Sequence, residues 1–269
     1  MLSDPVLTHR PEDGQDIPLL VWRAHPPLRA VSSGPLGGGV GVRHWVVNAT
    51  VPMSYHRDDP AAHLTALADR LGLDGPGVGL LTGVDVAEVA ARADTGVRVW
   101  ATVGLGTPLW AAAPAQPPDT PTQDTTPAQD TTPGRAPDTP TQPTGPTQPT
   151  GPVRDVVPDA AGASEAGPVV RVGTVNIVVY VPVTLGDAAL VNAVATATEA
   201  KCQAIRELGL PGTGTPTDSV TVLCPAAGPA QPYGGPRSAW GAPLARAVHA
   251  AVRAGGSVPC VPWSQRRTC

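Results

Sequence analysis

Residues 111–168 constrain this chain more than any other stretch. From residue 114 they read PAQPPDTPTQDTTPAQDTTPGRAPDTPTQPTGPTQPTGP, in which the units DTPTQ and QPTGP recur imperfectly. Proline removes backbone donors, and almost no side chain here can be buried, so the segment cannot offset the entropy of ordering it. It reads as a disordered, polyproline-like insertion, of the kind a surface loop tolerates because added loop length costs little. A Pro-Thr ligand or a glycosylated stalk is the alternative. Of the 269 residues, the core must then come from the flanking blocks, 1–110 and 169–256, as two halves of one domain, with a tail at 257–269.

The N-terminal block carries strand patterns at 19–24, 28–33 and 40–51, the last two joined by the turn SSGPLGGG. Asp59 reads as a helix N-cap with Pro60 at the first helical position, and Leu64, Leu67, Ala68 and Leu71 fall on one face. Residues 77–84 and 97–105 are strand-like, with a short helical pattern, DVAEVAARAD, between them. The second block opens with a strand-rich run at 169–183, whose VNIVVYV core suggests burial on both faces. Thr184 and Asp187 suggest a variant capping box for a helix over 187–208 that ends at Gly209. A strand at 219–223 follows, then a helix over 239–254 that stops at Gly255-Gly256. This alternation predicts an α/β (or α+β) fold, a layered mixed β-sheet packed by helices.

Composition excludes several classes. The formal net charge is −4 and no Lys/Arg block occurs, so no nucleic-acid footprint is expected. No apolar run approaches the roughly 20 residues of a membrane span, and the first 15 residues hold acids and prolines in place of a signal peptide. The expectation is a cytoplasmic protein without membrane insertion; self-association is left open. Cys202, Cys224, Cys260 and Cys269 form no CxxC pair. Cys202 and Cys224 read as small buried hydrophobes, whereas Cys260 and Cys269 could pair only under oxidation.

Three segments carry candidate chemistry. On the helix over 187–208, Leu190, Val194, Ala197, Ile205 and Leu208 form one apolar stripe with Lys201 in its midst. Glu199 lies about 200° around, with Asn192, Thr196 and Gln203, so Glu199 and Lys201 cannot enter one pocket. A lysine on an apolar face is costly unless paired, which leaves a structural ion pair or a site lysine. In GTGTPTDSV, Thr215, Thr217, Asp218 and Ser219 gather where a loop meets a strand. Asp218 could serve as a general base and Thr215 or Thr217 as nucleophile or donor, or all could bond their own turn. The run at 32–41 offers hydroxyls and free N–H groups but lacks the GK[ST] ending of a phosphate loop. In YHRDDPAAH, the spacing of His56, Asp58, Asp59 and His63 matches no ordinary zinc pattern, so no metal is expected. His249, flanked by Arg246 and Arg253, suggests a surface position. No G-x-S-x-G elbow is present.

Taken in order, several phrases resemble one family, the adenosylcobinamide amidohydrolases. They are Ser32-Ser33 with Gly37-Gly38-Gly39 and then Val47-Asn48, Leu80-Leu81-Thr82, Ala101 to Leu105, Gly173-Thr174-Val175-Asn176, Thr198-Glu199-Ala200-Lys201, and Gly214-Thr215-Pro216-Thr217-Asp218. The resemblance covers most of the chain outside the insertion and the termini. The long insertion, the Pro-rich start and the Cys-containing tail depart from it. It implies hydrolysis of adenosylcobinamide to adenosylcobyric acid and (R)-1-aminopropan-2-ol in cobalamin salvage, with the corrinoid as substrate and no cofactor. Asp218, Glu199, Lys201, Thr215 and Thr217 are then the candidate catalytic residues. Ser32, Ser33, Gly38, Asn48, Thr82 and Asn176 are the candidate substrate-binding ones, with Asn176 and the glycine-loop N–H groups facing the oxyanion. A corrinoid-binding protein without hydrolysis, or an amidase of the same fold acting on another amide, is the alternative.

Overall fold

The computed structural model describes residues 1–12, 14–113, 173–258 and 263. The expected disordered insertion, from residue 114 onward, lies outside the described residues, as do Cys260 and Cys269. Within them one mixed sheet is built from β1 (Val6–Glu12), β2 (Gln15–Ser32), β3 (Gly39–Thr50), β4 (Gly77–Thr82), β5 (Ala90–Asp94), β6 (Val97–Leu105), β7 (Gly173–Tyr180) and β8 (Ser219–Pro225). The order is β4-β3-β2-β8-β7-β6-β5, with β1 paired to β2. Strands from both sides of the insertion therefore interleave: β6 pairs with β7 and β2 with β8. Three helices pack on the sheet: α1 (Pro60–Arg70), α2 (Asp187–Glu207) and α3 (Gly241–Gly256). This is the α/β layering expected.

Strand alternation sorts the side chains onto two faces. One face of β6, β7 and β8 (Val99, Ala101, Ile177, Val179 and Val222 among others) packs with α2 and α3 into one apolar cluster. The same face of β2 and β3 (Leu19, Val21, Trp45, Val47) packs under Leu64, Leu67 and Ala68 of α1. The opposite face curls on itself, so that Trp22 and Val46 share a cluster with Trp100, Val178 and Leu223. Trp22 and Trp100 meet edge to face at 6.0 Å, worth about 0.5–1.5 kcal/mol beyond area burial. Arg98 lies 5.1 Å from the rings of both Trp100 and Tyr180. The curl is what positions the site, because it brings β3 and β4 across from β7.

Local expectations and structure differ at several points. The patterns at 19–24 and 28–33 belong to one strand, β2, whose register with β3 shifts between Arg23 and Leu28. The proline-bearing N-terminus supplies β1, an unforeseen strand. The helical pattern at 85–94 is a single 3₁₀ turn, Val86–Glu88, followed by β5. Here Thr95 and Gly96, both at positive φ, close a tight hairpin onto β6, and that turn chemistry outweighs helix propensity. Asp59 caps α1 as expected, its Oδ1 accepting from Ala62 N at 2.8 Å. Thr184 does not cap α2: Gly186 is the N-cap, and the Thr184 hydroxyl donates instead to the Ala227 carbonyl at 2.8 Å. Helix α3 runs through Gly255 and Gly256, because a Cβ at either would stand 2.7 Å from Val103, Leu105 or Leu208; the glycines let α3 close onto β6. Cys224 is buried, and Cys202 is half-buried with its thiol on the Thr213 carbonyl.

Candidate active site

The inner face of the sheet is apolar at one end and polar at the other. Alternation alone puts Ser32 on β2, Asn48 and Thr50 on β3, Thr82 on β4, Thr102 on β6, Thr174 and Asn176 on β7, and Ser219 and Thr221 on β8 at the polar end. All are buried. Asn176 donates from Nδ2 to Asn48 Oδ1 and to the Leu81 carbonyl, both at 2.9 Å. Asn48 donates in turn to Thr102 Oγ1 at 3.0 Å. These bonds tie β3 and β4 across the fold to β6 and β7, and a buried polar network of this kind favours one geometry.

Where that network reaches the surface, a cavity of about 440 Å³ opens. Its wall includes Ser33, Tyr55, Thr82, Thr174, Asn176, Thr217, Asp218 and Ser219. Hydroxyls meet in pairs on two sides: Ser33 Oγ with Ser219 Oγ at 3.1 Å, and Thr174 Oγ1 with Thr217 Oγ1 at 2.7 Å. Ser33 Oγ also accepts from Val220 N at 3.0 Å, and Thr82 Oγ1 from Val84 N at 3.1 Å. Five of the sequence-derived candidates (Ser33, Thr82, Asn176, Thr217 and Asp218) thus line one cavity.

Asp218 is the most heavily bonded of them. Its Oδ1 accepts from Val175 N at 2.9 Å and from the Thr215 hydroxyl; its Oδ2 accepts from Thr215 N at 3.1 Å and from Lys201 Nζ. A carboxylate offers about four lone-pair sites, and all are engaged. Lys201, the one lysine in the chain, is 7% exposed and joins α2 to this loop. A Cβ at Gly214 would stand 2.5 Å from Asp218 and 2.7 Å from Lys201, so a side chain there would push this pair apart. The Lys201–Asp218–Thr215 unit is therefore a brace, and it leaves Asp218 no free lone pair with which to deprotonate water.

The remaining candidates stand apart. Glu199 is exposed on the other side of α2, in a depression shared with Gln203 and His249, so it and Lys201 do point to different places. Thr196, expected on that polar side, is buried and donates to the Gly234 carbonyl at 2.9 Å. Ser32 Oγ bonds Thr221 Oγ1 at 2.7 Å and accepts from Gly34 N at 3.0 Å, which shapes the turn rather than the cavity wall. Gly38 sits in the same turn, where a Cβ would meet the Gly34 carbonyl at 2.9 Å. Both Nδ2 hydrogens of Asn176 are committed, so it has no donor left for an oxyanion. His249 pairs with Glu207 at 2.9 Å, in keeping with a surface role.

Sequence reasoning gave no site role to Tyr55 and Thr174 on the cavity wall or to Glu12 behind it, and weighed His63 only as a metal ligand. Tyr55 Oη bonds His63 Nδ1 at 3.1 Å, and the two rings stack with centroids 5.5 Å apart. His63 Nε2 stands 3.5 Å from Glu12 Oε1. Glu12 in turn is held by Arg10 at 2.8 Å and Arg57 at 3.0 Å. Burial acts to raise the Glu12 carboxyl, but the hydrogen bond and charge of Arg10, with His63 and Arg57, hold it below its usual value. Burial pushes the His63 imidazole down and the Tyr55 phenol up. The alternation N-A-T, T-V-N and S-V-T was the available signal for the inner face; nothing local in the sequence links Glu12 to Tyr55.

Comparison with known proteins adds an independent line. A family model described as adenosylcobinamide amidohydrolase matches residues 4–259. The chain is 43% identical over 83 residues to an adenosylcobinamide amidohydrolase of Halobacterium salinarum, covering 30% of this chain and 35% of that protein. It is 36% identical over 94 residues to one of Methanosarcina mazei, covering 32% of this chain and 47% of that protein. The matched stretches thus span less than half the length of either relative.

Proposed function

The chain belongs to the adenosylcobinamide amidohydrolase family, and on that premise we propose that it hydrolyses the aminopropanol amide of adenosylcobinamide, releasing adenosylcobyric acid and (R)-1-aminopropan-2-ol for cobalamin salvage. The observation that carries the reading is the hydroxyl-lined cavity at the polar end of the inner sheet face. At about 440 Å³ it falls in the range of ordinary ligand sites. It is far smaller than a corrinoid, and suits a side arm reaching in while the macrocycle stays outside. No cofactor is needed for amide hydrolysis of this kind.

In this reading the hydroxyls of Ser33, Ser219, Thr174 and Thr217 hold the amide carbonyl and an attacking water in line, which is the positioning part of catalysis. Asp218 and Lys201 act at one remove by fixing the loop that presents Thr217 and Ser219. Incubation with adenosylcobinamide, followed by chromatography for the cobyric acid, tests the proposal. Release of product that falls about 10-fold or more in Thr217→Ala supports it. Folded protein that binds the corrinoid and returns it with unchanged mass would leave a binding protein in place of a hydrolase. Turnover of other amides in preference to this one would assign a different substrate.

A further inference from the structure

Amide hydrolysis needs a group that takes a proton from the attacking water and gives one to the leaving nitrogen, and among the described residues the hydroxyl cavity has no free carboxylate to do so. Asp218 is saturated, Glu199 lies in another depression, and Lys201 is committed to Asp218. Among the described residues that line the cavity, Asp218 leads back to a lysine already committed to it, whereas Tyr55 joins the wall to an incompletely bonded titratable chain.

We propose that Tyr55 is the proton-transfer group of this site, with His63 and Glu12 as its positioning residues. The inference rests on the amide-hydrolysis reading above. His63 stands on the first turn of α1, beside the loop that carries Tyr55, and Glu12 ends β1. Their order, phenol to Nδ1 and Nε2 toward a carboxylate, follows the logic of a nucleophile–histidine–acid triad, with a phenol in the first place. Two buried polar atoms of this cluster, His63 Nε2 and Arg10 Nη1, lack a hydrogen-bond partner. The Glu12 cluster is thus incompletely satisfied, which is the reverse of the Asp218 cluster.

As the water oxygen bonds the carbonyl carbon, a water proton passes to Tyr55 Oη and the phenol proton moves to His63 Nδ1. Glu12 faces the imidazolium so formed. When the C–N bond breaks, His63 returns its proton to Tyr55, and Tyr55 delivers one to the departing nitrogen. The new carboxylic acid releases its proton to solvent. The charges around His63 are Glu12 and Arg10 on β1, Arg57 on the preceding loop and Arg70 on α1. Burial and the three arginines favour the neutral ring that can accept a proton, while Glu12 favours the charged one.

Steady-state hydrolysis of adenosylcobinamide by the full chain across pH 5–9 tests this. Wild type should lose kcat/KM as pH falls through a value below the ordinary 6.5 of histidine. Tyr55→Phe should lower kcat by about 10²–10⁴-fold, change KM by less than about threefold, and abolish that acid limb. Glu12→Gln should move the limb to lower pH, a change that a merely structural carboxylate would not produce. Tyr55→Phe removes a single hydroxyl, so folding, checked by circular dichroism, should survive even if His63→Ala does not fold. An active wild type with Tyr55→Phe within about threefold of its kcat, or with a limb that Glu12→Gln leaves in place, overturns the inference while the amidase reading stands. A folded wild type that yields no product defeats the amidase reading, and this inference with it.

Discussion

Two carboxylates on the cavity side of the fold are built in opposite ways. Asp218 sits between a lysine, a hydroxyl and two backbone N–H groups, with every lone pair taken. Glu12 has two arginines and a histidine around it, yet the cluster leaves His63 Nε2 and Arg10 Nη1 unbonded. A saturated buried pair makes one arrangement far better than its neighbours, so it holds a loop still. An incomplete cluster keeps its members in place and leaves one atom able to change protonation. The two serve one cavity in complementary ways, the first by fixing the Thr217–Ser219 edge and the second by backing Tyr55.

The sharpest way to break this comparison is to empty the saturated side. Asp218→Ala leaves Lys201 buried without its counter-ion, at a cost of about 3–5 kcal/mol, read as a lower urea midpoint. Lys201→Met should cost less, about 1–3 kcal/mol, because Asp218 keeps three other donors. If the lysine variant is the worse of the two, the backbone N–H groups matter less than their geometry suggests, and the brace runs chiefly through the ion pair.

What was legible in the sequence follows from the range of the interactions. The Asp59-Pro60 start of α1 and the apolar stripe with Lys201 are local, and the structure has both. Opposed directions for Glu199 and Lys201 needed only the helical angle. Residues 85–94 read as helix because propensity is counted residue by residue, whereas the positive φ of Thr95 and Gly96 commits the segment to a hairpin. The polar residues of the inner face were visible as motifs, but their meeting depends on the curl of the sheet, which a one-dimensional pattern does not record. Tyr55, His63 and Glu12 were missed for the same reason. Glu12 reaches His63 only because β1 pairs with β2 and Arg10 bonds the Thr50 carbonyl at 2.8 Å. His63 was weighed as a metal ligand beside its sequence neighbours, when its partners are a phenol eight residues back and an acid at the end of β1.

The incomplete side has its own signature in acid. Because the Glu12 carboxyl is held below its usual 4.5, its contribution to stability is present in full above that unfolded value. It is lost as pH falls through the lower folded value. Glu12→Gln should therefore lower stability at pH 7 and flatten the stability-against-pH curve below about pH 4.5, so that the two proteins converge in acid, measured by urea unfolding at several pH values. An unchanged acid limb would mean that Glu12 is no better held in the fold than in the unfolded chain, and would weaken the case that it anchors His63.

The smallest effect comes from a partly exposed surface carboxylate, where pairing outweighs desolvation. Asp94, at the β5–β6 turn, is held at about 2, chiefly by its hydrogen bonds from Arg246 and then from Thr95. Arg246→Ala should bring its titration, followed by NMR, back toward 3.8 with almost no change in unfolding midpoint, since exposed pairs contribute little in water. If Asp94 stays near 2 in that variant, the Thr95 hydroxyl alone is enough to hold a carboxylate down. The depression of Glu12 would then speak for its hydrogen bond from Arg10 more than for the charge cluster around it.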